Sequence, residues 1–476
     1  MARTAIIWLC EAPDVIDPSS VVHGFHGWPL GLILLLSCFA LVGARRLRAA
    51  TDSHKRGAVI RNRGQLTRRR RRAHRRSAKR ALQLADLTIP PHDETKHFKI
   101  VGTTGTGKST AIREILAGAL RRGDRAVVAD PDGGYLRRFY DRYRGDVILN
   151  PFEPYSVRWD PFQEIRTTYD VDQLASGLVP TTGDAAGQEW RSYARTFLSA
   201  VMRRCYEIDC CDTRELWRLL TIASCDELRP IVAGSPAQPF LDPDNGRMFG
   251  SIRSVTGSAI AALEYILPQR SLPFSVRGWV KSGRGVLFIP YRAGQIAALR
   301  SIIATWMRLA IFEAMSQIED EDQHLWLVVD ELDALGAIDG LKDALTRLRK
   351  FGGRCVLGFQ SIAQVSCTYG PGEAQTIIEN CGNSLILRCS GSDSGGTSHF
   401  ASRLIGEREI VRRHTSYGRD KEGAFASHAI RHSRQVSAQH ATELAVMASE
   451  LEQLPDLTGF WKSASGATWS RVALRS

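Results

Sequence analysis

The sequence lacks the cysteine spacings that hold structural zinc or a disulfide scaffold. Its 10 cysteines are scattered, with no Cys-x-x-Cys pair, and no cysteine and histidine spacing suits tetrahedral zinc. Cys205, Cys210 and Cys211 lie close together in sequence, and we interpret them as reduced cysteines of a cytosolic protein. The pattern excludes a zinc module and a secreted, disulfide-stapled domain.

Long apolar runs are equally scarce, since only residues 21–44 are long enough to cross a bilayer. This run has no Asp, Glu, Lys or Arg, and three acidic residues precede it. A cleaved signal peptide, the alternative, needs positive charge at that place. Because arginines follow from Arg45 onward, the positive-inside rule puts the rest of the chain in the cytoplasm. This pattern therefore predicts that residues 1–44 form an N-terminal segment with one transmembrane anchor.

Outside residues 45–80 the chain has little net charge. That segment has 16 lysines and arginines against one aspartate, whereas the whole chain has a net charge of +13. The whole-chain pI of 9.4 therefore gives no evidence for a basic face on the globular part. As a basic juxtamembrane linker, residues 45–80 interact with anionic lipid head groups; binding of DNA phosphates is the alternative.

The remaining chain predicts an α/β fold with a central, mostly parallel sheet. At 476 residues, with 43% hydrophobic and 24% charged residues, it has the composition and length of about two folded domains. Around residue 100, strand patterns alternate with helical ones. Residues 165–270 then have helical periods, and strand patterns return after residue 285. We predict an ATPase domain in two parts, residues 81–164 and 271–476 with a C-terminal tail, interrupted by an all-α insertion at 165–270.

A G-x-x-x-x-G-K-[ST] motif lies between a predicted strand and a predicted helix, the context that a P-loop requires. Glycines let the backbone N–H groups surround phosphates, and the helix N-terminus adds partial positive charge. The lysine reaches the β- and γ-phosphates of ATP, and the serine hydroxyl binds Mg²⁺. The predicted nucleotide-binding residues are Gly102, Thr103, Thr104, Gly105, Thr106, Gly107, Lys108, Ser109 and Thr110.

A second motif is the apolar strand Leu325–Val329, which ends in Asp330 and Glu331. This pattern is typical of a Walker B element, in which Asp330 holds the magnesium through water. Glu331 is then the general base that polarises the attacking water, which predicts a hydrolase. Acidic residues after a strand also cap helices, but the P-loop favours the catalytic interpretation.

Two further residues leave alternatives open. Arg349 lies in a basic helix end, where cations complement the helix dipole, although an arginine finger acting across a subunit boundary has the same placement. Gln360 closes the strand that ends at Phe359. At the carboxyl edge of the sheet it either senses the γ-phosphate or caps a turn.

These motifs resemble those of the type IV secretion coupling proteins of conjugation, the TraD/TraG/TrwB type, over roughly residues 95–415. The resemblance includes the Val128–Pro131 strand end and the stretch from Tyr369 to Thr376. The resemblance implies a homo-hexamer of RecA-like ATPase domains around a channel in the bacterial inner membrane. It implies an ATPase that couples a relaxase–DNA complex to the secretion channel and pumps single-stranded DNA. It also implies that Arg349 is the trans-acting finger and Gln360 the nucleotide sensor.

The predicted cofactors are ATP and Mg²⁺. The predicted partners are DNA, relaxosome proteins, inner-membrane components of the secretion channel, the membrane and five further copies of the chain. Family members usually have two transmembrane helices, whereas this sequence has one sufficient span. Two other functions remain: an ATP-binding docking protein without motor activity, and a chromosome translocase of the FtsK/HerA kind, which needs a duplex-orienting module that is not visible.

Overall fold

The computed structural model describes residues 53–61, 81–180, 185–320, 323–392, 395–421 and 430–475. The chain divides into two compact units. One contains Gly57–Glu407 and Leu444–Ser476, and the other contains Arg408–Glu443 with the residues up to Arg56. None of the helices within the described ranges is both long and apolar enough to cross a membrane. The predicted span, residues 21–44, lies outside those ranges.

The strands fall into one large sheet and three small ones. Their bounds are β1 Ser53–Gly57, β2 Ile60–Arg61, β3 Gln83–Leu84, β4 Leu87–Thr88, β5 Phe98–Val101, β6 Arg125–Pro131, β7 Val147–Ile148, β8 Arg158–Trp159, β9 Pro273–Phe274, β10 Val286–Tyr291, β11 Leu325–Val329, β12 Gly353–Phe359, β13 Asn383–Ile386, β14 Glu407–Lys421, β15 Ile430–Leu444, β16 Thr458–Lys462 and β17 Trp469–Ala473.

The α-helices lie between the strands and, in greatest density, between β8 and β9. Their bounds are α1 Pro91–Glu94, α2 Lys108–Arg121, α3 Gly134–Phe139, α4 Thr168–Leu178, α5 Ala185–Glu207, α6 Thr213–Thr221, α7 Cys225–Val232, α8 Gly246–Ile260, α9 Leu263–Ile266, α10 Val276–Ser282, α11 Ile296–Met315, α12 Leu341–Arg347, α13 Ile362–Tyr369, α14 Pro371–Asn380, α15 Gly396–Ile405 and α16 Ala448–Glu452.

The large sheet has the order β2-β17-β16-β13-β5-β12-β11-β6-β10-β7. From β13 to β7 every neighbouring pair is parallel, whereas β16 is antiparallel to both β13 and β17. The predicted α/β fold with a mostly parallel sheet is confirmed. The strand β12 lies between β5, which precedes the P-loop motif, and β11, which precedes Asp330.

Each face of this sheet buries its own core because side chains alternate along the strands. Val328 on β11 packs in one core with Ile112 and Ile115 of α2. Val329, the next residue, packs in the other core with α11 and the helices between β8 and β9. A one-residue change of register would exchange these two sets of side chains.

The helices α4 to α8 cluster around buried apolar residues of the longest of them, α5. Phe197 of α5 meets Phe249 of α8 edge to face, with ring centroids 5.2 Å apart. The Glu164 carboxylate, 1% exposed, joins the two ends of this helical segment. It accepts from the Trp159 indole N–H at 2.9 Å and from the Val276 backbone N–H at 2.6 Å.

Two parts of the chain contain structure that the sequence patterns left unassigned. Residues 45–80, treated as linker, contain β1 and β2, and β2 pairs with β17 at the edge of the large sheet. The region treated as a C-terminal tail supplies β16 and β17 to that sheet. In the smaller unit, β14 and β15 form a three-stranded sheet with β1, in which the Glu409 carboxylate accepts from Lys55 at 2.9 Å.

Candidate functional site

The P-loop motif connects β5 to α2, as the sequence predicts. Gly105 has φ +78° and Gly107 has φ +111°, left-handed values that let the backbone curl and that favour glycine. Lys108 is 7% exposed, and its ammonium donates to the carbonyl oxygens of Gly102 at 2.9 Å and Thr103 at 3.2 Å. Burial lowers the pKa of Lys108, and the nearby Asp330 opposes this effect. The lysine is therefore held against the loop in which phosphates bind.

Asp330 connects the end of β11 to the start of α2. Its Oδ2 accepts from the Ser109 hydroxyl at 2.6 Å and from the Tyr135 hydroxyl at 2.8 Å. Its Oδ1 is buried and has no hydrogen-bond partner among the described residues. A buried carboxylate oxygen without a donor, next to a serine hydroxyl, is a suitable ligand pair for a hard divalent cation such as Mg²⁺.

Glu331 and Asp333 add further negative charge at this edge. Glu331 is partly exposed, and burial, followed by the charges of Asp330 and Asp333, raises its pKa above the ordinary glutamate value. A carboxylate with a raised pKa is a better proton acceptor than an ordinary one, which suits a general base. The structure thus brings Lys108, Ser109, Asp330 and Glu331 together.

Gln360 lies beside the P-loop because β12 is the neighbour of β5. Its Oε1 accepts from the Thr104 hydroxyl at 3.0 Å, and the backbone N–H of Gly102 donates to Phe359 at 3.4 Å. Gln360 therefore touches the phosphate-binding loop on one side and precedes α13 on the other. This placement fits a nucleotide sensor, and turn capping is instead done by Ser361, whose hydroxyl accepts from Ala363 at 3.2 Å.

Arg349 is the predicted site residue that the structure keeps apart from the others. It is exposed and lies in the 3₁₀ turn Leu348–Phe351, just before β12. The seven residues of β12 extend roughly 23 Å and separate Arg349 from the P-loop. Within one chain the two lie at opposite ends of the strands, so Arg349 is not part of the nucleotide site of its own chain.

Two segments that sequence analysis did not connect to the site support the P-loop from outside. The Thr103 backbone N–H donates to the Arg388 carbonyl at 2.9 Å, and the Leu457 backbone N–H donates to the Thr106 carbonyl at 3.0 Å. A Cβ on Gly107 would lie 2.9 Å from Leu457 and 3.1 Å from Leu474. The sequence carries no signal for these contacts, since they depend on where β13, β16 and β17 join the sheet.

Sequence analysis also missed residues at the tips of neighbouring strands. Asp130, at the end of β6, accepts from the backbone N–H groups of Tyr135 at 3.0 Å and Leu136 at 2.7 Å, and burial raises its pKa to about 6. It fixes the start of α3 and thereby the Tyr135 hydroxyl. The turn-forming Asp132-Gly133 pair after β6 was the available signal for a side chain returning to the sheet edge.

The basic side chains of the helical segment are engaged in local contacts. Arg203 pairs with Asp172 at 2.9 Å, Arg204 with Glu207 at 3.6 Å, and Arg218 with both Glu215 and Glu227. A fourth, Arg214, donates to the Leu267 carbonyl at 3.2 Å. These four arginines therefore have structural partners within the chain.

The comparison with protein families decides the affiliation. Residues 81–475 match the family described as the type IV secretion-system coupling protein DNA-binding domain. The chain belongs to this family. The resemblance noted from the motifs is thereby confirmed.

Individual relatives agree with this result. Coupling protein TraD of Escherichia coli (strain K12) is 29% identical over 385 residues, which are 79% of this chain and 52% of TraD. The chain spans about half the length of the curated relatives that it matches.

Among solved structures, the unbound coupling protein TrwBdeltaN70 is 31% identical, with a TM-score of 0.77 over 90% of this chain and 94% of that chain. TrwB in complex with ADP and Mg²⁺ is 30% identical, with a TM-score of 0.75 and the same two coverages.

Proposed function

We propose that this protein is the ATPase of a conjugative type IV secretion system. It couples a relaxase–DNA complex to the inner-membrane components of the channel and moves single-stranded DNA by hydrolysing ATP. The observation that carries the proposal is the contact of Ser109 with Asp330, which puts the P-loop serine, a buried carboxylate and Glu331 at one sheet edge. Nucleotide and Mg²⁺ in the TrwB complexes support the same chemistry for this chain.

Ser109 and Asp330 would hold Mg²⁺ here. When bound, the ion neutralises charge that develops on the β- and γ-phosphates. The chain supplies the rest of the chemistry. Lys108 holds the phosphates, Glu331 accepts a proton from the attacking water, and Gln360 contacts the loop that surrounds the phosphates.

The position of Arg349 supports assembly into a ring. A site completed by an arginine from the next subunit requires a heterologous contact, and such contacts close into rings when the rotation permits. We infer a homo-hexamer, as the family resemblance implies, with each nucleotide between two subunits.

We infer an anchored protein from residues 21–44. An apolar run of that length, followed by arginines, supports one span in the bacterial inner membrane with the ATPase in the cytoplasm. The basic residues that follow the span interact with anionic lipid.

The test is steady-state ATP hydrolysis by the full chain purified in detergent, with and without single-stranded DNA, over a range of protein concentrations. A motor gives turnover that DNA stimulates and that rises more than linearly with protein concentration. Lys108→Ala removes both nucleotide binding and turnover.

Two outcomes identify the competing functions. ATP binding without hydrolysis, together with normal DNA transfer in cells that carry Glu331→Gln, identifies a docking protein. Stimulation by duplex DNA but not by single strands identifies a translocase of the FtsK/HerA kind.

A further inference from the structure

Tyr291 is a buried tyrosine at the carboxyl edge of the sheet for which the proposed site has no role. It ends β10 and is 3% exposed. Among the described residues, it is the one tyrosine whose buried hydroxyl has no hydrogen-bond partner. A buried hydroxyl without a partner costs stability, so its presence at this place requires an explanation.

The strand register puts Tyr291 and Glu331 at the same level of the carboxyl edge of the sheet. Ile289 of β10 and Val329 of β11 both pair with Ala129 of β6. The residues two positions further, Tyr291 at the tip of β10 and Glu331 just beyond β11, therefore lie at the same level, with the end of β6 between them. Ile289, Val329 and Tyr291 accordingly belong to one buried cluster.

The surroundings of the hydroxyl are acidic. Burial raises the pKa of Tyr291, and Glu331 and then Asp330 are the largest charged contributors that raise it further. Asp330 already accepts from Ser109 and Tyr135 at its Oδ2 and lies on the opposite face, next to α2. Glu331, at the level of Tyr291 across the end of β6, is therefore the carboxylate that we pair with this hydroxyl.

We infer that Tyr291 is a positioning residue for ATP hydrolysis, whose hydroxyl donates to the Glu331 carboxylate when nucleotide is bound. The hydrogen bond holds the carboxylate in the orientation from which it accepts a proton from the attacking water. One oxygen of the Glu331 carboxylate then accepts the hydrogen bond from the Tyr291 hydroxyl, and the other oxygen faces the attacking water. The inference rests on the proposed function, because it assigns Glu331 the role of general base.

The hydroxyl can be removed alone with Tyr291→Phe, which leaves the ring in the core. Because the hydroxyl has no partner in the nucleotide-free protein, the melting temperature of the variant should not fall. The kcat for ATP should decrease about ten- to a hundredfold, as for a lost hydrogen bond to a charged group. The KM and the Kd for ATP should stay unchanged, since three strands separate β10 from β5, the strand that precedes the P-loop.

Tyr369→Phe is the matched comparison for stability. Tyr369 is half-buried, and its hydroxyl accepts from the Ile338 backbone N–H at 3.2 Å and donates to the Gly336 carbonyl at 3.4 Å. Removing this hydroxyl should lower the melting temperature. A purely structural Tyr291 predicts the same signature for both variants, namely lower stability with unchanged kcat.

The experiment measures kcat, KM and melting temperature of the full chain in detergent for the wild type, Tyr291→Phe, Tyr369→Phe and Glu331→Gln. The inference is supported if Tyr291→Phe loses kcat alone. It is refuted if the wild type and Tyr291→Phe have equal kcat while Glu331→Gln is inactive, a result that leaves the proposed function intact. A higher KM or a lower melting temperature of Tyr291→Phe also refutes it. A wild type that binds ATP without hydrolysing it refutes the proposed function itself.

Discussion

The Ser109 hydroxyl donates to the Asp330 carboxylate at 2.6 Å, although 221 positions separate the two residues. The contact exists because α2 begins at the carboxyl edge of β5 and Asp330 follows β11 at the same edge. It joins the two motifs on which nucleotide chemistry depends, and it gives the first prediction.

Ser109→Ala should lose most of the effect of Mg²⁺ on ATP binding. Removing the hydroxyl removes one of the two oxygens that suit the ion, so affinity in Mg²⁺ should fall about tenfold and become nearly equal to affinity in EDTA. Titration calorimetry in both buffers measures this difference. Ser109→Thr keeps an oxygen at this place and serves as the control; equal Mg²⁺ dependence in Ser109→Ala and wild type contradicts the assignment.

Arg349→Ala should abolish turnover while ATP binding persists. Loss of an arginine finger reduces the rate about 10³- to 10⁵-fold in other phosphoryl-transfer enzymes. Lys350→Ala is the matched control, because Lys350 is the adjacent exposed cation and its Nζ lies 3.8 Å from Glu319. Its activity should stay at the wild-type level.

Arg349 should also act in trans. Co-expression of Lys108→Ala with Arg349→Ala creates subunit boundaries at which an intact P-loop meets an intact arginine, about a quarter of all boundaries in randomly mixed rings. Mixed assemblies should therefore recover activity that neither variant has alone. If mixtures stay inactive although both subunits co-purify, Arg349 is not supplied by a neighbour.

Gly107→Ala should harm nucleotide binding more than Gly105→Ala. Both glycines have positive φ, and a Cβ there costs about 1–2 kcal/mol of backbone strain. A Cβ on Gly105 meets nothing within 4 Å, whereas one on Gly107 lies 2.9 Å from Leu457. Measured ATP affinities should rank wild type, Gly105→Ala and Gly107→Ala in decreasing order. Equal losses of ATP affinity in the two variants would show that the Leu457 side chain moves aside at little cost.

His97 should make the protein sensitive to acid. Burial lowers its pKa from 6.5 to about 4, and its Nδ1 accepts from the Cys355 backbone N–H at 3.0 Å. The unfolded chain takes up the proton near pH 6.5 and the folded chain only near pH 4. The stabilisation that His97 contributes is therefore complete above pH 6.5 and is lost as the pH falls through 4. The total loss in the free energy of unfolding is about 3 kcal/mol.

His97→Asn is the variant that isolates this effect. Asparagine retains an acceptor oxygen and tolerates the left-handed φ of 54° at this position. Urea unfolding of both proteins between pH 7 and pH 4 should show a smaller acid-dependent loss in the variant. Parallel pH profiles of the two proteins would assign the loss to other groups.

Local patterns in the sequence were enough to predict the P-loop, the Walker B strand, the alternating α/β order and the family. These patterns are local. A motif of eight residues between a strand and a helix can be recognised without knowledge of distant contacts, and so can an apolar strand that ends in two carboxylates. The strand predicted over Leu325–Val329 coincides with β11, and the strand predicted to end at Phe359 is β12, which ends at that residue. Periodicity sufficed there because both faces of these strands are buried.

Which of these elements are neighbours became visible in the folded chain. The insertion of β12 between β5 and β11 brings Gln360 to Thr104 and leaves Arg349 at the other edge. The return of β16 and β17 places Leu457 against Gly107, and the pairing of β10 and β11 with β6 puts Tyr291 at the level of Glu331. Strand order depends on packing between segments hundreds of residues apart, and a local pattern carries no information about such pairings.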